Sequence, residues 1–132
     1  MNIILIINGF YDILCAFSIL WFSNIPILNF FSSLHISMFQ EYKYKDELAI
    51  NRIMAYWILT YGIVRLIAGI NNNLSLQYLA AITYFIEALC LKNECIVNKS
   101  LNCDQINFVS ILSLIIGLLI IYQIVVKTSI TL

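Results

Sequence analysis

Residues 108–126 read FVSILSLIIGLLIIYQIVV and contain no charged side chain. At a rise of about 1.5 Å per residue, a helix of this length crosses a hydrocarbon core about 30 Å thick. Lipid offers no water to the backbone, so a helix, which satisfies its own backbone groups, is the expected spanning form. This stretch therefore predicts a transmembrane helix.

Three more apolar stretches precede it and predict three more spans. The segment 25–39 is apolar but carries scattered polar side chains, which is typical of an interfacial helix or of a connection that dips into the membrane. The predicted fold class is all-α, an integral membrane protein with an antiparallel bundle of four transmembrane helices in a single domain. The predicted helices cover about 3–22, 52–70, 76–91 and 108–126.

The composition supports this class. The chain is 62% hydrophobic and only 11% charged, whereas soluble domains carry about 25% charged residues. Its formal net charge is zero, so no basic field attracts nucleic acid, and membrane lipids are the expected surroundings. With 132 residues the chain has no room for a separate soluble domain, so any site must be built from helices and short loops.

Basic residues in the connections predict the orientation. Lys43, Lys45 and Arg52 lie between the first two spans, and Lys92 and Lys99 lie between the last two. The opposite side carries a single lysine near the end of the fourth span. Because cytosolic loops are enriched in Lys and Arg, both connections are predicted to face the cytosol.

The cysteines give no zinc signature, because no C-x-x-C pair occurs and His35 is far away in sequence. Free thiols are the expected state. A disulfide such as Cys95–Cys103 is the alternative, and it requires that the connection faces an oxidising lumen.

Three ionisable residues, Asp12, Arg65 and Glu87, lie inside predicted spans. A charge at that depth costs roughly 2.5–3.5 kcal/mol on insertion scales, so such residues are usually turned inward, paired or functional. Counting along the spans places all three in one half of the bilayer or near its middle, where Arg65 can reach either acid. One arginine cannot neutralise two carboxylates, so the second acid needs a proton, an internal hydrogen bond or a cation.

Three interpretations of this polar cluster stay open. A buried ion pair would fix the order of the helices. A ligand-binding or catalytic site would use the acids together with the deep tyrosines Tyr11, Tyr61 and Tyr84. A proton or ion path is the third, although four short helices leave little room for it.

Small residues recur at intervals of seven on the second span, at Ala55, Gly62 and Gly69. Such a stripe lets the backbone of another helix approach closely. It indicates packing and carries no information about activity.

Catalytic motifs are missing from the sequence, which has no P-loop, dinucleotide-binding fingerprint, histidine box or nucleophile elbow. We therefore expect no catalytic residues, no cofactor and no metal, and we predict that the protein is not an enzyme.

The tract RIMAYWILTYGIVR at residues 52–65 resembles the ergosterol biosynthesis protein 28 family, small four-helix proteins of the endoplasmic reticulum. The family spaces an Arg, an aromatic residue, a Leu and a second Arg as this tract does, and the register continues without a gap to a Tyr and an Ala-Leu pair. The likeness covers about residues 51–95. The matching residues are Arg52, Trp57, Leu59, Arg65, Tyr78 and Ala88.

The sequence departs from the family just after the Ala-Leu pair. The family continues with His-Phe and then Glu, but Leu91 and Lys92 hold the His-Phe positions here, and Glu94 falls one residue early. If that pair contributes to partner contact, the contact differs in this chain.

The resemblance implies a non-catalytic scaffold in the membrane of the endoplasmic reticulum. Proteins of that family tether the enzymes that remove the sterol C-4 methyl groups, namely an oxidase, a decarboxylating dehydrogenase and a ketoreductase. Those membrane enzymes would be the partners, and Arg52 and Arg65 would be structural or docking residues.

Two alternatives stay open beside the scaffold. One is a sterol or small-amphiphile binding protein or isomerase that uses membrane-embedded Asp12 and Glu87, loosely similar to the emopamil-binding and sigma-2 receptor group. The other is an accessory subunit of a larger membrane complex.

Overall fold

The computed structural model describes residues 1–21, 47–71, 73–98 and 103–131. The predicted interfacial segment 25–39 lies outside the described residues. Within the described ranges the chain forms four long helices and no strand, and all four are long and apolar enough to cross a membrane. The predicted fold class, an all-α membrane bundle of four helices, is confirmed. The helices are α1 (Ile3–Trp21), α2 (Glu47–Ile70), α3 (Leu74–Asn93) and α4 (Cys103–Thr131), and a π-helical turn, Glu94–Asn98, follows α3.

The helices extend beyond the apolar stretches that the sequence marks. The sequence predicts starts near residues 52 and 108, but α2 begins at Glu47 and α4 begins at Cys103. Hydropathy locates the part of a helix that lies in hydrocarbon, whereas helical hydrogen bonding continues into the polar interface. The ends of a span and the ends of its helix are therefore different quantities.

The start of α3 is fixed by a side chain. The Oδ1 atom of Asn73 accepts hydrogen bonds from the backbone N–H groups of Ser75 at 2.9 Å and Leu76 at 3.3 Å. Asparagine is a favoured N-cap because its side chain satisfies donors that have no partner inside the helix. The cap lets α3 begin at Leu74, two residues before the predicted start.

Helices α1 and α2 approach each other through glycines. A Cβ atom built on Gly9 would lie 2.5 Å from the backbone N of Leu66 and 2.8 Å from the carbonyl O of Gly62. We call this contact, through Gly9, Gly62 and Gly69, the glycine seam. At its end, the backbone N–H of Asn2 donates to the carbonyl O of Gly69 at 2.8 Å. Gly62 and Gly69, two members of the small-residue stripe on the second span, thus pack against α1, as small residues do at close helix crossings in membranes.

One buried apolar cluster draws on all four helices, and partly buried side chains of α3 and α4 pack around it. A smaller cluster joins the end of α3 to the start of α4. The larger cluster consists of Leu5, Ala68, Ala80, Ala81, Tyr84, Ile120 and Ile124, and the smaller one of Leu91, Cys95, Ile106 and Val109.

Cys95 and Cys103 form a disulfide across the connection between α3 and α4, with their Cα atoms 5.3 Å apart. Cys15, which is buried, and Cys90, which is exposed, form no disulfide. A disulfide persists in an oxidising lumen and is reduced in the cytosol. The disulfide is therefore inconsistent with the cytosolic orientation that the basic residues predict for this connection. That orientation stays a prediction.

The oxidation state of the four cysteines can be measured by mass-tagging after the membranes are denatured under acid quench. We expect a maleimide polymer to add two tags without reductant, at Cys15 and Cys90, and four tags after reduction. The double variant Cys95→Ser/Cys103→Ser is the control and should give two tags under both conditions. Four tags without reductant would place this connection in the cytosol, as the basic residues predict.

The glycine seam can be tested by Gly62→Leu. A Cβ at this position would lie 2.9 Å from the Cβ of Asp12 and 3.0 Å from the carbonyl O of Gly9, so the helices must separate. We expect thermal unfolding of the chain in mild detergent to show a loss of about 1–3 kcal/mol, the usual size of an overpacking penalty. The neighbouring change Ile63→Leu, on a side chain that is 44% exposed, is the control and should have little effect. Equal stability of both variants would contradict the close approach.

Candidate functional site: an intramembrane charge cluster

Arg65 is the centre of a polar cluster inside the bundle. Its Nη1 atom donates to Asp12 Oδ2 at 2.7 Å, and its Nη2 atom donates to Glu87 Oε2 at 2.6 Å. Its Nε atom donates to Thr83 Oγ1 at 3.1 Å. We call these four residues, Asp12, Arg65, Thr83 and Glu87, the Arg65 cluster. It links α1, α2 and α3 through a single side chain.

The position of each residue on its helix explains why the three charges meet. Asp12 lies at the middle of α1, which spans Ile3–Trp21. Arg65 lies near the end of α2, but side chains on a helix lean toward its N-terminus, so the guanidinium extends inward from that end. Glu87 lies ten residues before Val97, the end of the third candidate span, which is about 15 Å along a helix. The charges therefore converge near the middle of the bilayer.

Arg65 is shielded by aromatic rings as well as by acids. The residue is 2% exposed. Its Cζ atom lies 3.6 Å from the centre of the Tyr84 ring and 5.3 Å from the centre of the Tyr61 ring. A cation over an aromatic face is stabilised by the ring quadrupole, more so where water is absent. Tyr84 is itself held in place, because its hydroxyl donates a hydrogen bond to Asn8 Oδ1.

Two hydroxyl groups orient the cluster. Thr83 Oγ1 donates to the carbonyl O of Ala80 at 2.7 Å, which leaves its lone pairs for Arg65. Ser113, on α4, donates through Oγ to Glu87 Oε2 at 3.2 Å. The fourth helix is thus connected to the cluster, so the cluster contacts every helix of the bundle.

The charges of the cluster do not balance. Each acid offers one oxygen to Arg65, and within the described part of the chain the second oxygens of Asp12 and Glu87 accept no hydrogen bond. Two carboxylates and one guanidinium give a formal charge of −1. The side chain of Glu87 is 19% exposed and that of Asp12 is 9% exposed, so the excess charge is nearer the surface at Glu87.

The three ionisable residues singled out in the sequence come together, and both acids bind Arg65. The residues that match the family tract are spread along the helices, and only Arg65 belongs to the cluster. Trp57 packs edge-on against Tyr61, with ring centres 5.5 Å apart. Tyr78 is 42% exposed and Ala88 is buried. Arg52 is exposed near the start of α2, and Leu59 is half-buried near its middle.

Sequence reasoning missed Thr83 and Ser113. Thr83 precedes Glu87 by one helical turn, and this spacing places both side chains on one face of α3. Ser113 lies on α4, and only the packing of α3 against α4 shows that it meets Glu87. Among the described residues, no group of three or more His, Cys, Asp and Glu side chains is arranged to hold a metal ion.

A profile of the family described as Erg28 like protein matches residues 5–121. The chain belongs to the Erg28-like family. The match extends beyond residues 51–95, where the sequence shows the likeness, and includes the whole Arg65 cluster and most of α1 and α4. No curated protein and no solved structure matches the chain. Membership connects this Erg28-like chain, an integral membrane protein with four spans, to sterol biosynthesis.

Arg65→Met tests the cluster in this Erg28-like protein. The change leaves Asp12 and Glu87 without a cation near the middle of the bilayer, and removing one partner of a buried ion pair typically costs about 3–5 kcal/mol. We expect a loss of this size in thermal unfolding of the detergent-solubilised chain, and partial recovery when Asp12→Asn and Glu87→Gln are added.

Arg52→Met is the matched control on the same helix. Arg52 is exposed, and the ion pairs among the described residues do not include it, so its loss should change the unfolding temperature little. If the two arginine variants unfold alike, the cluster does not stabilise the bundle.

Proposed function

We propose that the chain is a non-catalytic scaffold of the endoplasmic reticulum membrane that holds the enzymes of sterol C-4 demethylation together. The observation that carries this proposal is the family match over residues 5–121, which includes parts of all four helices. The expected partners are the oxidase, the decarboxylating dehydrogenase and the ketoreductase.

The outer surface of the bundle supports a role in binding other membrane proteins. Only 33% of the most apolar window of α1 and 39% of that of α3 is buried inside the chain. Many of the remaining positions, there and on α4, are apolar and exposed, as at Leu89, 69% exposed, and Leu118, 59% exposed. Such faces are in contact with lipid in the isolated chain and are available to the spans of other proteins.

The arrangement of Arg65 supports a structural role for the deep charges. The guanidinium donates to Asp12, Glu87 and Thr83 and lies against the ring of Tyr84. A sterol or amphiphile binder or isomerase would use both acids to meet a substrate, whereas each acid here binds Arg65 through one oxygen. Because Asp12 and Glu87 both bind Arg65, the feature that motivates this alternative is explained by helix packing.

The decisive experiment measures whether the enzymes associate through this chain. The C-4 oxidase is tagged and purified in a gentle detergent from cells with and without the chain, and the recovered dehydrogenase and ketoreductase are quantified by mass spectrometry. We expect both to be recovered with the chain present and to fall several-fold without it. Cells that express Arg65→Met, in which the bundle is expected to be destabilised, are a second comparison. Recovery of the dehydrogenase and ketoreductase there should be as low as in cells without the chain. Equal recovery in the presence and absence of the chain would contradict the scaffold.

A further inference from the structure

We propose that Glu87 is a docking residue for a transmembrane helix of a partner protein that carries a Lys or Arg near the middle of the bilayer. The docking surface, which we call the Glu87 face, consists of Ile86, Glu87 and Cys90 on α3 with Tyr61 beside them on α2. The inference deepens the proposed function, since it rests on the chain having membrane partners, and it names the group that they must present.

Acidic side chains outnumber basic ones in the Arg65 cluster. The sequence has seven Lys and Arg residues, and Arg65 is the only one between residues 53 and 91. Arg65 already donates to both acids, and the described residues hold no second embedded base for the remaining negative charge. Because an unpaired charge in the bilayer is costly, a further cation is expected, and a partner helix can supply it at the same depth.

Glu87 is the acid that a cation can reach. Its side chain is 19% exposed, twice the 9% of Asp12, and the nearby Ile86 and Cys90 on the same helix are exposed. One of its oxygens, Oε2, is held by both Arg65 and Ser113. The other oxygen accepts no hydrogen bond from a described residue, so the carboxylate is held in place with one acceptor to spare.

A proton on one of the two acids is the competing way to remove the charge. The protonated oxygen would then be a donor in a medium without water, and it would need an acceptor nearby. In the Arg65 cluster each acid only accepts hydrogen bonds, and it does so through one oxygen. A basic side chain from a neighbouring helix satisfies both the charge and the acceptor.

The depth of Glu87 in the bilayer favours a transmembrane helix over a small amphiphile as the source of the cation. Glu87 lies about 15 Å along α3 from one end of its span and about 20 Å from the other. The charged group of an amphiphile stays at the interface, whereas a transmembrane helix can carry a base at any depth. A second copy of this chain cannot supply it, because its own embedded base, Arg65, is 2% exposed and bound to two acids.

The test uses Glu87→Gln in the full-length chain. Glutamine keeps the shape and can still accept from Arg65, and it leaves Asp12 and Arg65 as a balanced pair. We expect the unfolding temperature of the isolated chain not to fall, while recovery of its membrane partners falls about five- to thirty-fold, the range of interhelical polar contacts in membranes. A protonated Glu87 would be mimicked by glutamine, so unchanged recovery would overturn the proposal.

Glu94→Gln is the matched control, since it makes the same chemical change in the π-helical turn, outside the Arg65 cluster. Its partner recovery should stay within two-fold of the unmodified chain. In the partner lost with Glu87→Gln, replacing the Lys or Arg nearest the bilayer middle by Gln should reproduce the loss, and the two changes together should add nothing further. Full additivity, or a partner without such a base, would overturn the proposal.

The outcomes separate this inference from the proposed function. If the sterol C-4 enzymes are recovered equally with Glu87→Gln and the unmodified chain, the scaffold stands and the docking role of Glu87 fails. If other membrane proteins depend on Glu87 and carry the base, the docking role stands and the sterol assignment fails. A stable chain that recovers no membrane protein overturns both.

Discussion

A single guanidinium group determines how the bundle is assembled. In a membrane the apolar faces of helices gain little by leaving lipid, so helix order must come from close packing and from polar contacts. Arg65 supplies the polar contacts: it binds Asp12 on α1 and both Thr83 and Glu87 on α3. Through Ser113, Glu87 brings in α4. An order that separated α2 from α1 or from α3 would leave at least one of these charges in hydrocarbon without its partner.

The glycine seam and the charge cluster depend on each other. Gly62 lies one turn before Arg65, and Gly9 lies one turn before Asp12. A Cβ on Gly62 would lie 2.9 Å from the Cβ of Asp12, so the absence of a side chain at Gly62 allows Asp12 to come within 2.7 Å of Arg65. The seam thus sets the distance across which the ion pair acts, and the ion pair fixes which faces of α1 and α2 meet.

Much of this organisation can be predicted from the sequence, because a membrane imposes simple rules. Length and hydropathy mark four spans, and any ionisable residue within a span must face inward, which singles out Asp12, Arg65 and Glu87. The stripe through Gly62 and Gly69 indicates a close helix approach. The helix ends at Glu47 and Cys103 could not be predicted, since helical bonding does not stop at the edge of the apolar stretch. Ser113 could not be predicted either, since its role depends on the register of α4 against α3.

An excess charge suits a protein that binds others within the membrane. Apolar helix faces discriminate poorly between partners, because lipid chains and leucine side chains offer similar contacts. A carboxylate held at a fixed depth pairs with a basic side chain only at the same depth. This requirement selects among partner helices and sets their position along the membrane normal. Within the chain, Asp12 alone would balance Arg65, so helix order does not require Glu87 to be charged. Its second carboxylate oxygen, on a side chain that is 19% exposed, fits the proposed contact with another protein.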